Sequence, residues 1–242
     1  MVYLIQFYNN YIMALIKFGM MMTDARGKLG GQVFTKTRSG ATVRTKVTPA
    51  NPQTTAQQQS RAILGNLSTA WRNLSESDRR SWNAGVENFS RTNVFGDTYN
   101  PSGKNLFVGL NANLLSVNIS RVDTAPLPIE VPALIITSAS VDISTGEISF
   151  ATDSGLPGLG FQIIFQASKP SSAGKNNFSG AYASFLHTNG ASMPSDLALY
   201  TAYVQKFGAL QEGQKVAFRV FVIATGTGQK SVESTAQGIA AS

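Results

Sequence analysis

The stretch between residues 54 and 117 repeats apolar side chains at the spacing of amphipathic α-helices. Three helices are predicted from this pattern, over 54–74, 76–89 and 104–117. Ser75, with Asp78 three residues on, is typical of an N-cap at the start of the second helix. The apolar stripes would close a small bundle and include both tryptophans, which we interpret as core residues: Ile63, Leu67, Trp71, Leu74; Trp82, Val86, Phe89; Leu106, Phe107, Leu110, Leu114.

After residue 132 the pattern changes to the alternation of β-strands. Phe161, Ile163 and Phe165 occupy alternate positions, and 216–225 is apolar enough for burial on both faces. About seven short strands separated by turns such as Ser144-Thr145-Gly146 predict a β-sandwich of immunoglobulin or fibronectin III type. The predicted strands are 133–142, 147–153, 161–169, 199–207, 216–225 and 230–235.

One part of this second half is longer than an ordinary sandwich loop. Residues 168–195 are rich in Ser, Gly and Asn around Phe178, Tyr182 and Phe185. Long loops on a rigid scaffold often carry binding, so one interpretation is a binding loop. The other interpretation is one extra hairpin, and the sequence leaves both open.

The residues before the helices form a basic arm. Val33-Phe34 and Ala41–Val43 are predicted as two short strands, joined by a turn at Arg38-Ser39-Gly40. Pro49 and Pro52 disfavour helix just upstream of themselves. No acidic residue lies between Asp24 and Glu76, and the arm has little apolar surface to bury, so we expect a partner to order it. An ordinary solvated hairpin is the alternative.

The first 22 residues are apolar enough to raise the question of a membrane span. Gln6, Asn9, Asn10 and Lys17 interrupt the run at a free-energy cost in hydrocarbon, and the features of a secretory signal are missing. We therefore predict no membrane insertion. Two interpretations stay open: translation begins near Met22, or this segment packs against a neighbouring subunit.

Charge is concentrated in the first half of the chain. Residues 23–124 contain 13 Lys/Arg against 6 Asp/Glu, whereas residues 125–242 contain 6 against 7. Such asymmetry predicts that the first half meets an acidic partner. Nucleic acid and an acidic protein surface both satisfy it, and charge alone does not choose between them.

Catalytic motifs are not found in the sequence. The chain has no cysteine, which excludes disulfides and thiolate metal sites, and His187 alone offers little for a metal site or a triad. We interpret His187 as a surface-loop histidine. The glycines between Gly155 and Gly160 are interrupted by Pro157 and read as a turn rather than a phosphate loop. We predict a protein that is not an enzyme and has no cofactor and no metal.

The arm and the helices together carry a family resemblance. The run RSGATVRTKVTPANPQT, followed by Gln57, Arg61, Leu67, Trp71, Leu74, Arg79 and Trp82, resembles structural proteins of tailed bacteriophages of Bacteroides-type hosts, including crAss-like phages. The resemblance implies a virion component, such as a capsid auxiliary, head-fibre or connector protein, assembled in the host cytoplasm. It also implies many copies per particle and binding to other virion proteins, such as the major capsid protein.

The predicted fold class is multidomain α+β: a basic arm and a small helical bundle, then an immunoglobulin/fibronectin III-like β-sandwich. Pro126, Pro128 and Pro132 mark the predicted linker between the last two. The predicted parts are an apolar N-terminal extension over 1–22, the basic arm over 23–53, the helical domain over 54–122, the linker over 123–132 and the sandwich over 133–242.

Nine basic residues are the candidate partner-binding residues, because they lie on the arm or off the apolar stripes. They are Arg26, Lys28, Lys36, Arg38, Arg44, Lys46, Arg72, Arg79 and Arg80. Two alternative functions stay open. Residues 51–89 partly resemble the later helices of an HMG box, which suggests sequence-independent nucleic-acid binding. A host- or glycan-binding module that uses 168–195 is the other, and it rests on analogy of fold alone.

Overall fold

The computed structural model describes residues 13–15, 17, 19, 24–37, 40–47, 51–92 and 98–241. The chain divides into two compact units, Met1–Thr54 and Thr55–Ser242. Most of the predicted 1–22 extension lies outside the described residues, as do Arg38, Ser39 and Pro49. The division of the second unit into helical domain, linker and sandwich stays a prediction.

The first unit contains a four-stranded antiparallel sheet. Its strands are β1 (Met13–Leu15), β2 (Gly27–Leu29), β3 (Gln32–Thr37) and β4 (Gly40–Thr45), in the order β1-β4-β3-β2. Strands β3 and β4 confirm the two strands predicted for the arm. Thr42 is the one buried side chain among those described in this sheet, and its hydroxyl lies 2.9 Å from that of Thr35. The sheet therefore has almost no apolar core among its described residues.

The second unit begins with the three predicted helices, which are confirmed. They are α1 (Thr55–Asn73), α2 (Glu76–Gly85), which continues as a 3₁₀ turn over Val86–Phe89, and α3 (Gly103–Ser116). A short pair, β5 (Arg91–Thr92) and β6 (Thr98–Tyr99), lies between α2 and α3. Serine hydroxyls begin two of the helices: Ser75 Oγ accepts from Asp78 N at 3.1 Å and Ser102 Oγ from Asn105 N at 3.3 Å.

Trp82 is at the centre of the bundle. Its side chain is fully buried, and its ring meets Phe107 edge-on, with centroids 5.3 Å apart. The indole Nε1 donates to Asp123 O at 2.6 Å, and Asn111 binds both the N and the O of Val122. These bonds hold the start of the predicted linker against the bundle.

The rest of the second unit is built on one six-stranded sheet. The order is β10-β9-β11-β12-β7-β8, and every neighbouring pair is antiparallel except β12 and β7, which are parallel. Helix α4 contacts β8 and β10, which are the two edge strands of the curled sheet. The α+β class is confirmed. The elements are β7 (Ile136–Asp142), β8 (Glu147–Thr152), β9 (Phe161–Ala167), β10 (Ala183–Asn189), α4 (Asp196–Phe207), β11 (Lys215–Ala224) and β12 (Ser234–Ala241).

The prediction of a strand over 199–207 is wrong, because these residues lie in helix α4. Ser195 Oγ caps the helix by accepting from Ala198 N at 3.3 Å. Leu199 and Tyr203, four residues apart, then face the core together, and both are fully buried. Gly208, with φ of 93°, ends the helix in a conformation that favours glycine.

Two further parts of the predicted β pattern differ in the structure. The strand predicted over 230–235 begins instead at Ser234 and runs to Ala241. Residues 168–195 contain one strand, β10, which pairs with β9. The stretch therefore adds a single strand rather than a complete extra hairpin, and residues 168–182 connect β9 to β10.

Strand β11 is buried on both faces, as predicted. Phe218 belongs to the main core beneath the sheet, where it packs with Phe150 and Tyr203. Phe221 and Ile223 point to the outer face, where they form a second cluster with Val117 from the end of α3. The helical bundle therefore covers the outer face of the central strands.

We expect Trp82→Ala to lower the free energy of unfolding by about 3–5 kcal/mol, because it removes a buried indole and its hydrogen bond. Trp82→Phe keeps an aromatic ring and loses only the bond to Asp123 O, so its cost should be smaller. Urea unfolding of both variants measures this order. Equal costs for the two variants would contradict the importance of the ring contact with Phe107.

Gly228 lies where α3 meets the turn between β11 and β12. A Cβ at this position would lie 2.2 Å from Leu110 O, and φ is +73°. We therefore expect Gly228→Ala to destabilise the protein by at least about 1–3 kcal/mol, the usual cost of such a backbone strain alone. Gly226→Ala is the matched control, because no atom lies within 4 Å of its added Cβ. Thermal unfolding that shows the same loss for both variants would contradict the close approach.

Candidate functional site

Strand register sorts the basic residues of the arm onto two faces. Val33 pairs with Lys28 on one side and with Arg44 on the other, and paired residues point to the same face of a sheet. Arg26 and Lys46 lie just outside β2 and β4 and are exposed, and Lys46 N donates to Gly31 O at 2.8 Å. We call these four residues the cationic face: Arg26, Lys28, Arg44 and Lys46.

The opposite face of the same sheet is apolar. Phe34 pairs with Val43, and Leu29 lies on this face because it pairs with Gln32. Leu29 is 71% exposed. Lys36 pairs with Ala41 and belongs to this apolar face, so the structure separates it from Lys28 and Arg44. The sixth predicted residue of the arm, Arg38, lies outside the described residues.

The charges of the cationic face are almost unpaired. Arg26 Nε lies 3.4 Å from Asp24 Oδ2, and the other three make no ion pair with any residue that the structure describes. Exposed pairs of this kind contribute little to stability. The charges are therefore free to attract an anionic surface, at a rate and strength that fall with salt.

The remaining predicted residues lie in the other compact unit. Arg80 makes an ion pair with Glu76 one helical turn away on α2. Arg72 donates to Thr69 Oγ1 at 3.3 Å on α1, and Arg79 is half-buried. The nine predicted residues therefore belong to two units, and strand register places only Lys28 and Arg44 on a common face.

Sequence reasoning missed a polar network on the outer face of the sheet. The Arg219 guanidinium lies 4.5 Å from the centre of the Tyr182 ring, and it binds Glu233 Oε2 and Gln166 Oε1, each at 2.8 Å. Lys230 also pairs with Glu233. The hydrogen bond from Lys230 lowers the pKa of Glu233, whereas burial raises the pKa of Tyr182.

A cavity of about 310 Å³ adjoins this network, between the end of α3 and the outer face of the sheet. Asn113, Gln166, His187 and Lys230 are among its lining residues. His187 is exposed, and it lies on edge strand β10 rather than in the predicted loop. Every side-chain polar atom buried in the described residues has a hydrogen-bond partner. The cavity therefore holds no orphaned group aimed at a ligand.

The described residues form neither a group of metal ligands nor a helix that could span a membrane. Among the residues with a described position, no three His, Cys, Asp or Glu side chains are grouped so as to hold a metal ion. In the same part of the chain, no helix is both long and apolar enough to cross a membrane.

Comparison with protein-family models, with curated proteins and with solved structures finds no match for this chain.

The outer-face network should make stability depend on pH in acid. Because its pKa is lowered in the folded protein, Glu233 contributes stability above its unfolded pKa, and this contribution is lost as the pH falls through the folded pKa. We expect Glu233→Gln to be less stable than the unmodified protein at neutral pH, with a difference that shrinks in acid.

Urea unfolding over a series of pH values measures this difference. Glu130→Gln is the control, because Glu130 is exposed and has no ion pair among the described residues. A Glu233→Gln difference that stays constant down to strongly acidic pH would show that the pairing with Lys230 does not act through the charge of the carboxylate.

Proposed function

We propose that this chain is a structural virion protein of a tailed phage, a capsid auxiliary, head-fibre or connector component that binds other virion proteins such as the major capsid protein. The main observation behind the proposal is that the arm sheet has a cationic face and an apolar face but almost no core among its described residues. The resemblance of the arm and helices to phage structural proteins supports it.

A sheet as small as that of the arm needs a packed apolar face in order to be stable. In the arm, Leu29 remains largely exposed and Thr42 is the one buried side chain among those described. A partner that places an apolar surface on one side of the sheet and acidic groups on the other would cover the apolar face and neutralise the cationic one. A capsid shell offers such a surface in many repeats, so that weak contacts add to avidity.

The finer layout belongs to the same proposal. The arm docks onto the shell in the host cytoplasm during assembly, and the domain of residues 133–242 projects outward. We propose that this domain is related to immunoglobulin or fibronectin III sandwiches, with α4 as an addition between the edge strands of its sheet. No catalytic role is part of the proposal.

Sequence-independent nucleic-acid binding is the second candidate function, and the cationic face favours it. The face that carries Lys28 and Arg44, with the exposed Arg26 and Lys46 next to its strands, suits phosphate contacts, whose strength falls steeply with salt. Binding of a labelled DNA duplex at several salt concentrations tests this candidate. A steep salt dependence together with tight binding at physiological salt would favour it over the first.

Purified phage particles test the first candidate directly. Mass spectrometry should detect this chain in the particles, and a cryo-EM map should place the arm against another virion protein. Its absence from the particles would overturn the proposal, and a position inside the shell against the packaged genome would favour nucleic-acid binding instead.

The two faces of the arm provide a matched pair of variants. We expect Arg44→Glu to weaken binding to the shell about tenfold, the scale of losing one close charge contact and gaining a repulsion. Lys36→Glu makes the same charge change on the opposite face and should have a smaller effect. Incorporation of each variant into particles measures this, and equal losses would contradict a role for the cationic face.

A further inference from the structure

One end of the six-stranded sheet exposes a group of aliphatic side chains. Strands β7 and β12 begin at this end, and β8 and β11 finish there. The segments that follow or precede them carry large apolar residues at the surface, among them Leu159 at 78% and Val232 at 79% exposure. We call this surface the aliphatic end: Leu127, Ile129, Ile135, Leu156, Leu159 and Val232.

Hydrogen bonds hold these segments side by side. Ile129 N donates to Gln229 Oε1 and Ile135 N donates to Ser154 Oγ, both at 2.8 Å. Ile136 N donates to Ser234 Oγ at 3.0 Å, and Thr225 N donates to Gly160 O at 2.9 Å. The exposed residues therefore lie on segments that are held together mainly by main-chain N–H groups donating to side-chain oxygens. Large exposed apolar patches mark interaction surfaces.

The carboxylates at the aliphatic end distinguish it from an ordinary apolar patch. Glu130 and Asp153 are exposed, and neither makes an ion pair with the residues that the structure describes. By contrast, the neighbouring acids Asp123 and Glu233 are paired with arginine or lysine. The partner of this surface should therefore combine aliphatic side chains with cations.

The arm of this chain has that chemistry. On the apolar face of its sheet, Leu29 is 71% exposed, and the exposed Lys36 lies on the same side by register. Val47, which follows β4, is 44% exposed. Residues 24–47 contain six Lys/Arg and one Asp. Two surfaces of opposite charge, both rich in exposed aliphatic side chains, are complementary.

We propose that the aliphatic end of one copy binds the arm of a second copy. The two surfaces are different, so the contact is head-to-tail and joins copies into a ring or an open chain. The contact would also bury part of the arm's apolar face, where Leu29 is exposed. The inference goes beyond the proposed function, which concerns other virion proteins, and does not depend on it.

Sedimentation velocity of the full chain over a wide range of concentration tests the proposal. We expect reversible association that weakens with salt, and about tenfold weaker association for Glu130→Lys. Glu87→Lys is the matched control, since Glu87 is an exposed carboxylate on the helical bundle that also has no ion pair among the described residues. It should leave association unchanged.

A charge exchange makes the test specific for the arm. Lys36→Glu alone should weaken association, and Lys36→Glu combined with Glu130→Lys in one chain should restore part of it. Leu159→Ser, at a position that is 78% exposed, should weaken association with no change of charge, and it covers the case in which Glu130→Lys fails to fold. Circular dichroism melts check folding of each variant.

Three results would each overturn the proposal: a protein that stays monomeric at every concentration, equal losses for Glu130→Lys and Glu87→Lys, or a combined variant weaker than both single ones. Failure here is separate from failure of the proposed function. Absence of the chain from purified particles removes the virion role and leaves the sedimentation result standing, and the reverse also holds.

Discussion

Burial of strand β11 on both faces is the constraint on which the second unit depends. Val216, Phe218, Val220 and Val222 fill the main core, whereas Phe221 and Ile223 face the other way and would be exposed in an isolated sheet. Val117 at the end of α3 packs on that outer cluster, and Asn113 Nδ2 donates to Gly228 O at 2.8 Å. Because apolar surface on both sides of one strand has to leave water, the helices and the sheet pack as one unit.

The inner face needs its own cover, and α4 provides it. A six-stranded sheet that curls leaves a gap between its edge strands, and α4 lies against both of them. Tyr203 fills this position with a fully buried ring whose hydroxyl donates to Ser168 O at 3.1 Å. Burial without a charged partner raises the pKa of Tyr203, so the phenol stays neutral and serves as a donor in the core. In the described residues of the arm, by contrast, no helix covers the apolar face of the sheet.

Sequence patterns predicted the elements whose signals are local. The helices follow from apolar stripes and from the serine cap at Ser75, and the arm strands follow from their β-branched residues. Helix α4 was missed because its apolar residues fit period two as well as period four. The sequence alone could not predict the outer-face network, because Arg219 donates to Gln166, which lies 53 positions earlier in the chain. The cationic face depends on register, and a slip of one residue would have moved Arg44 to the other side.

The bonds around Val122 and Asp123 decide where the chain can be divided. The prolines from Pro126 onward suggest a hinge, yet Trp82 and Asn111 take their hydrogen-bond partners from residues that lie just before them. A helical fragment that ends before Val122 would leave the buried indole N–H without its acceptor, at a cost of about 1–3 kcal/mol. The buried Asn111 amide would keep only its bond to Phe107 O. Ala125 N also donates to Ser81 Oγ at 3.1 Å. The first residues of the predicted linker, 123–125, are therefore hydrogen-bonded to the helical bundle.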